Sequence, residues 1–183
     1  MLQPGEKFLK FTVAIEFHSH SEIDPYLFSR TYPAYNERRN EPQARKYKEE
    51  ATMLNENVIK LLKSGMWDLA TCAKGEPNVV PVAFKDVTPE GQLVVGDVFL
   101  DTTLRNLAAN DGKIAISVYD TQNLEGYQIK GKARYVTEGP IVNTFKAMVE
   151  KMFAGAATAK GALIVTPERV IVTTPGADNK KEL

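Results

Sequence analysis

Histidine and cysteine are almost missing from this chain of 183 residues: His18, His20 and Cys72 are all it has. Both histidines precede Met53, so the sequence from Met53 onward carries no imidazole. That excludes Ser–His and Cys–His nucleophilic pairs and histidine-based zinc sites from the longer part of the chain. "HSH" alone offers two ligands of an incomplete site and reads as an exposed polar loop. A single cysteine excludes an internal disulfide and a multi-cysteine metal site, and suits a reducing cytoplasm. Within "LATCA", Cys72 is expected to be a small core residue, and the nearby Trp67 a large one. Excess charge is missing too. With 23 basic and 23 acidic residues the formal net charge is zero, which gives no electrostatic footprint for nucleic acid. The longest apolar runs, such as "ALIV" and "VVPVAF", are far too short for a bilayer, and "MLQPGEKFLKF" lacks the basic start and apolar core of a secretory signal. No glycine-rich dinucleotide fingerprint and no βαβ alternation occur. From Met53 onward acidic residues stand singly, with no pair set for acid–base work. No side chain qualifies as catalytic or metal-binding, so any catalysis needs a cofactor to carry the chemistry.

What is present falls into two parts. Residues 1–52 hold one alternating stretch, "FTVAIEF", then a polar run broken by Pro25, Pro33 and Pro42. No period persists there, which predicts irregular or accessory structure. Lys48-Glu49-Glu50 can be encoded by a purine-rich run resembling a bacterial ribosome-binding site shortly before Met53. Two readings follow: a translated leader ahead of a natural start at Met53, or a genuine N-terminal extension packing on the domain. Residues 53–183 form the domain proper.

There the pattern is orderly. "LNENVIKLLKSG" puts Leu54, Val58, Leu61 and Leu62 on one helical face closed by Gly65. "MWDLATCA" and "NVVPVAFKDV" read as paired strands around a "KGEPN" turn, followed by strands in "QLVVGDVF", "KIAISVYD" and "GYQIKGKARYV". "GPIVNTFKAMVEKMF" is an amphipathic helix aligning Val142, Phe145, Val149 and Met152, and "GALIVTPERVIVTTPG" supplies a closing pair of strands. About six short antiparallel strands with few helices predict a mainly β fold, a small six-stranded barrel with peripheral helices.

"GDVFLDTTLRNL" is the stretch that points to a ligand. Asp101, Thr102 and Thr103 fall where a strand gives way to a helix. Side-chain oxygens there can cap the helix, and the same N–H groups and dipole can hold a phosphate. Arg105, Lys85, Lys130 and Lys132 are the basic candidates to supply a cation, and the sequence does not place their ends.

The ordered run of "LATCAKGEPNVVPV", "VVGDVFLDTTLRNL", "NDGKIAISV" and "YQIKGKA" resembles the pyridoxamine 5′-phosphate oxidase-like flavoproteins, and within them the small FMN-binding proteins. The similarity spans about Leu54 to Gly176. It implies an antiparallel split β-barrel of the FMN-binding type that forms a homodimer, with two FMN sites between the subunits. By position, Val80, Pro81, Val82 and Ala83 would lie beside the flavin ring and ribityl chain. Asp101, Thr102 and Thr103 would meet the phosphate, with Asn106 nearby. Gln128 matches a position that faces the cofactor, and Thr174 to Gly176 resemble a segment that approaches the partner's flavin. Related sequences commonly carry lysine or arginine where this one has Thr102, a loss of about 1–2 kcal/mol in a charge-assisted contact. The residues with which longer members hold a substrate phosphate are not identified here.

The function implied is electron or hydride transfer by FMN with a small-molecule or protein redox partner, in the cytoplasm, without nucleic acid or membrane. The alternatives are a non-catalytic flavin-binding or redox-sensing module, a cofactor-free dimeric scaffold, and the same barrel holding a deazaflavin or haem. Missing histidines count against ordinary haem ligation.

Overall fold

A computed structural model describes residues 53–183. The leader or extension reading of residues 1–52 lies outside the described residues. The chain folds into helix α1 (Glu56–Ser64), strands β1 (Trp67–Ala73), β2 (Glu76–Val82), β3 (Lys85–Val87) and β4 (Leu93–Asp97), helix α2 (Asp101–Ala109), strands β5 (Lys113–Asp120) and β6 (Glu125–Val136), helix α3 (Pro140–Met152) and strand β7 (Gly161–Val172). The seven strands of the described residues form one antiparallel sheet in the order β2-β1-β5-β6-β7-β4-β3. It is mainly β, a curled sheet with three helices among the described residues, as in a split barrel.

Seven strands stand among the described residues against about six expected: "NVVPVAFKDV" breaks after Val82, leaving Lys85–Val87 as a short strand on β4, while the closing pair merges into one strand. The "KGEPN" turn is tighter than expected: Ala73 pairs with Glu76, and only Lys74 and Gly75 turn, at φ 52° and 82°. A two-residue loop with both φ positive matches the right-handed twist of the flanking strands. The predicted closing pair of strands is one continuous strand, β7. Pro167 sits at a bulge opposite Gly131, where β6 and β7 shift register and no ladder N–H is needed.

One register row shows how the interior is built. Val80, Leu69, Ile116, Ile129 and Val170 are successive partners across five strands and face the core. Helix α1 closes this core with Val58, Leu61 and Leu62, while Leu54, predicted on the same helical face, is buried just ahead of the N-cap. Asn55 caps it, accepting from the Val58 N–H at 3.0 Å. Trp67 is fully buried as expected, and its Nε1 donates to the Leu62 carbonyl at 2.7 Å. Cys72, expected in the core, is exposed. Strand alternation explains it: Trp67, Leu69 and Thr71 point inward, and Cys72 follows on the other face.

Helix α3 covers the outer face of β4 and β7. This explains why Leu93–Asp97 and Gly161–Val165 are buried at every position rather than alternately. Gly96 makes the close approach possible, since a Cβ there would lie 2.8 Å from the Phe145 ring. Val142, Phe145 and Val149 fill that interface, whereas Met152, predicted on the same face, is 60% exposed because the last turn runs past the sheet. No described element covers the outer face of β1, β2, β5 and β6. Its rows carry Val79, Ala70, Ala115 and Lys130, then Pro81, Asp68, Ser117 and Gln128. None of the described helices is long and apolar enough to cross a membrane.

Candidate functional site

The strand-to-helix transition stands where the sequence puts it, with α2 starting at Asp101, but the capping expectation is wrong. Leu100 is the N-cap, and no side chain caps the helix. The oxygens that could have done so are engaged elsewhere. Arg105 folds back over the first turn, its Nη1 donating to Asp101 Oδ2 at 2.5 Å and its Nη2 to Thr102 Oγ1 at 3.0 Å. Thr103 points inward, 1% exposed, and its Oγ1 accepts from Asn78 Nδ2 at 3.1 Å. Asp97 takes over the approach to the helix: its buried Oδ1 accepts from the Leu100 N–H at 2.9 Å and its Oδ2 from the Tyr135 hydroxyl at 2.7 Å. The Asp101 and Leu104 N–H groups meet the Phe99 and Leu100 carbonyls at 3.0 and 2.9 Å. The N–H groups of Thr102 and Thr103 find no acceptor among the described residues, so the turn keeps two backbone donors with a guanidinium beside them.

A polar cluster ties this helix to the sheet. Thr71 Oγ1 accepts from Asn78 Nδ2 at 3.3 Å and from Asn106 Nδ2 at 3.2 Å. Thr71, Thr103 and Asn106 are buried at 6%, 1% and 9% exposure, and Asn78 is half-buried. Thr103 and Asn106 are thus brought against β1 and β2. Sequence reasoning missed Thr71 and Asn78. Thr71 could have been found as the polar residue in the inward set Trp67, Leu69, Thr71. Asn78 is its cross-strand partner.

Of the residues expected beside a flavin, Val80 and Val82 turn their side chains to the core, Val82 opposite Trp67, while Pro81 and Ala83 are exposed. What β2 can present to a ligand is therefore Pro81, Ala83 and backbone. As an end strand, β2 tolerates Pro77 and Pro81, whose missing N–H groups also blunt its free edge against another strand. Gln128 is half-buried on the outer face, in the same row as Pro81 but three strands away, roughly 14 Å at ordinary strand spacing. One protomer does not bring it to β2. The tail segment is tied back, the Thr174 hydroxyl accepting from the Gly126 N–H at 3.0 Å.

The basic candidates separate clearly. Lys85 Nζ donates to the Leu62 and Lys63 carbonyls at 2.6 and 3.1 Å, closing the C-terminus of α1, and lies 5.1 Å from the Trp67 ring centroid. Burial lowers its pKa to about 8, against the opposing pull of Asp86. Lys132 pairs with Asp111 at 2.5 Å. Lys130 stands opposite Arg169 in the ladder, on the far side of β5 from β1. Arg105 alone of the four contacts the first turn of α2. Below it, Leu104, Leu107 and Ala108 face Ala133 and Tyr135 across a cavity of about 550 Å³. No group of three or more potential metal ligands occurs among the described residues.

Residues 56–176 match the family model described as pyridoxamine 5′-phosphate oxidase. The chain belongs to this family. Among solved structures, HupZ of Group A Streptococcus is similar at 25% identity, covering 68% of this chain and 98% of that one with a TM-score of 0.59. An FMN-binding protein from Syntrophomonas wolfei covers 75% of this chain and 92% of its own at 18% identity, with a TM-score of 0.54. An F420 reductase covers 64% and 98% at 20% identity, with a TM-score of 0.50. The last two likenesses are of fold. No curated protein matches the sequence.

Proposed function

We propose that the chain is an FMN-binding flavoprotein acting as a homodimer, with the cofactor held between two copies. The observation that carries the proposal is the first turn of α2, where two backbone N–H groups, the Thr102 hydroxyl and the Arg105 guanidinium converge without a capping side chain. That donor set suits a phosphate monoester: oriented amides at a positive helix end, with one cation to assist. The Asp101 carboxylate opposes a phosphate and competes with it for Arg105, through an exposed pair that a phosphate can displace.

In this reading Val80–Ala83 lie along the ring, with the β2 backbone, Pro81 and Ala83 facing it. Thr103 and Asn106 support the phosphate turn from below, and Gln128 reaches the cofactor from the other subunit's outer face. Bound FMN supplies one- or two-electron transfer, to or from a small molecule or a protein partner. The uncovered face of β1, β2, β5 and β6 supports pairing, because Ala70, Ala115 and Ser117 leave it low and Val79 is 62% exposed. A reducing cytoplasm suits the exposed Cys72 thiol.

The test is direct. Protein purified without added cofactor should be yellow, release FMN on denaturation, and, once stripped, take FMN up again in a fluorescence titration. A colourless protein that leaves FMN fluorescence unchanged overturns the proposal.

A further inference from the structure

We infer that Asn78 is a positioning residue for the cofactor, acting through Thr103 to fix the spacing between the two ends of the site. The inference rests on the FMN reading above. In that reading β2 lies along the ring and α2 along the phosphate, segments separated by some twenty residues of chain. Asn78 joins them directly. It lies two residues before Val80 on β2, and its amide donates 3.1 Å to Thr103 Oγ1 and 3.3 Å to Thr71 Oγ1. Asn106 Nδ2 donates to the same Thr71 oxygen at 3.2 Å, so α2 is clamped to the sheet at two points one turn apart.

The direction of these bonds matters. Thr103 accepts from an amide N–H, so its hydroxyl oxygen is engaged while its own proton finds no acceptor among the described residues. Asn78 thereby orients a buried O–H as a donor. Thr71 accepts twice, and its proton is likewise unspent. With Thr103 1% and Thr71 6% exposed, the cluster acts from beneath the site, holding the first turn of α2 at a fixed distance from β2. An exposed threonine would sample other rotamers; this one is held in place by a neutral amide from the strand.

The experiment is a double-mutant cycle read by FMN titration of stripped protein. Asn78→Ala and Thr103→Val should each weaken FMN binding about five- to tenfold, the size expected for one net hydrogen bond. In the Thr103→Val background, adding Asn78→Ala should cost no more than about twofold further, because the route through Thr103 is already lost. In a Thr103→Ser background, which keeps the hydroxyl, the full effect of Asn78→Ala should return. Asn78→Leu approximates the shape without adding charge and loses both N–H donors, and serves the same test if the alanine variant folds poorly. At saturating FMN, the visible flavin bands of the Asn78 variants should differ in shape from the parent's, a change that general loss of stability does not produce. A parent that takes up no FMN overturns the function reading and this inference with it. A parent that binds FMN while Asn78→Ala titrates identically, or loses equally in the Thr103→Val background, overturns the inference alone.

Discussion

Arg105 and Asp101 pull the first turn of α2 in opposite directions. The guanidinium attracts a phosphate, the carboxylate repels it, and the two are locked together with side chains 64% and 75% exposed. Substitutions should therefore move FMN affinity with opposite sign. Arg105→Ala should weaken binding roughly tenfold, and Asp101→Asn should tighten it by a smaller factor, with apo melting temperatures almost unchanged because exposed helix pairs contribute little to stability. Thr102→Lys, adding a cation beside the turn, should tighten binding by about five- to thirtyfold. Affinity that is indifferent to all three changes would remove α2 from the site.

These residues also mark what could be read in advance. Asp101, Thr102 and Thr103 were legible as a helix start because strand alternation stops there and helical spacing begins. Their hydrogen bonds were not legible. Whether a threonine caps its own helix or turns to a strand 25 residues away depends on the packing of α2 on β1, which no local pattern encodes. Lys85 was one of four equal candidates until the fold showed it closing α1.

Titration of single groups gives a pH signature. Burial, then the Asp97 carboxylate, raises Tyr135 to about 12, and burial, then Glu125, does the same for Tyr127. A phenol whose pKa rises on folding contributes stability that is intact below pH 10 and lost between pH 10 and 12. Lys85 works the other way: lowered to about 8, it disfavours folding while charged, and that penalty lifts as pH rises from about 8 to 10.5. Thermal melts should hold or rise slightly up to pH 10 and fall above it. Tyr135→Phe should flatten the fall, and an unchanged slope would show that this phenol titrates normally.

Among the elements, β4 and β7 show how packing overrides local pattern. Their uninterrupted apolar runs follow from burial on both faces, the barrel interior on one side and α3 on the other. The sequence made them legible as strands but gave no sign of which face α3 would take. The register-shifting bulge explains the misreading of β7 as two strands: Pro167 is a turn signal almost everywhere except at a bulge. Gly96 is where the two layers meet. Gly96→Ala should destabilise the protein by about 1–3 kcal/mol by driving a methyl group into the Phe145 ring, as overpacked cores do, and denaturant unfolding reads it. A smaller Phe145 should relieve the strain, so Gly96→Ala with Phe145→Leu should be more stable than Gly96→Ala alone. If it is not, α3 does not seat on Gly96.

For the molecule as a whole, the curled antiparallel sheet follows from features visible in the sequence: short β-rich segments, turn signals between them, and few helices. The unequal treatment of its outer face did not. One part is roofed by α3, while the part formed by β1, β2, β5 and β6 carries low side chains and no described cover. A second copy of the chain is the proposed occupant, and Val79→Glu on that face should shift sedimentation from dimer to monomer and lower FMN affinity with it. Gln128, roughly 14 Å from Pro81 across its own sheet, could join a single site with β2 only across such a junction.

Native mass spectrometry of the freshly purified protein examines ligand, stoichiometry and assembly together. A dimer that carries two FMN molecules, and that sheds both when Val79→Glu separates the subunits, is the expected result. A chain that stays monomeric and free of flavin in the presence of excess FMN would contradict it.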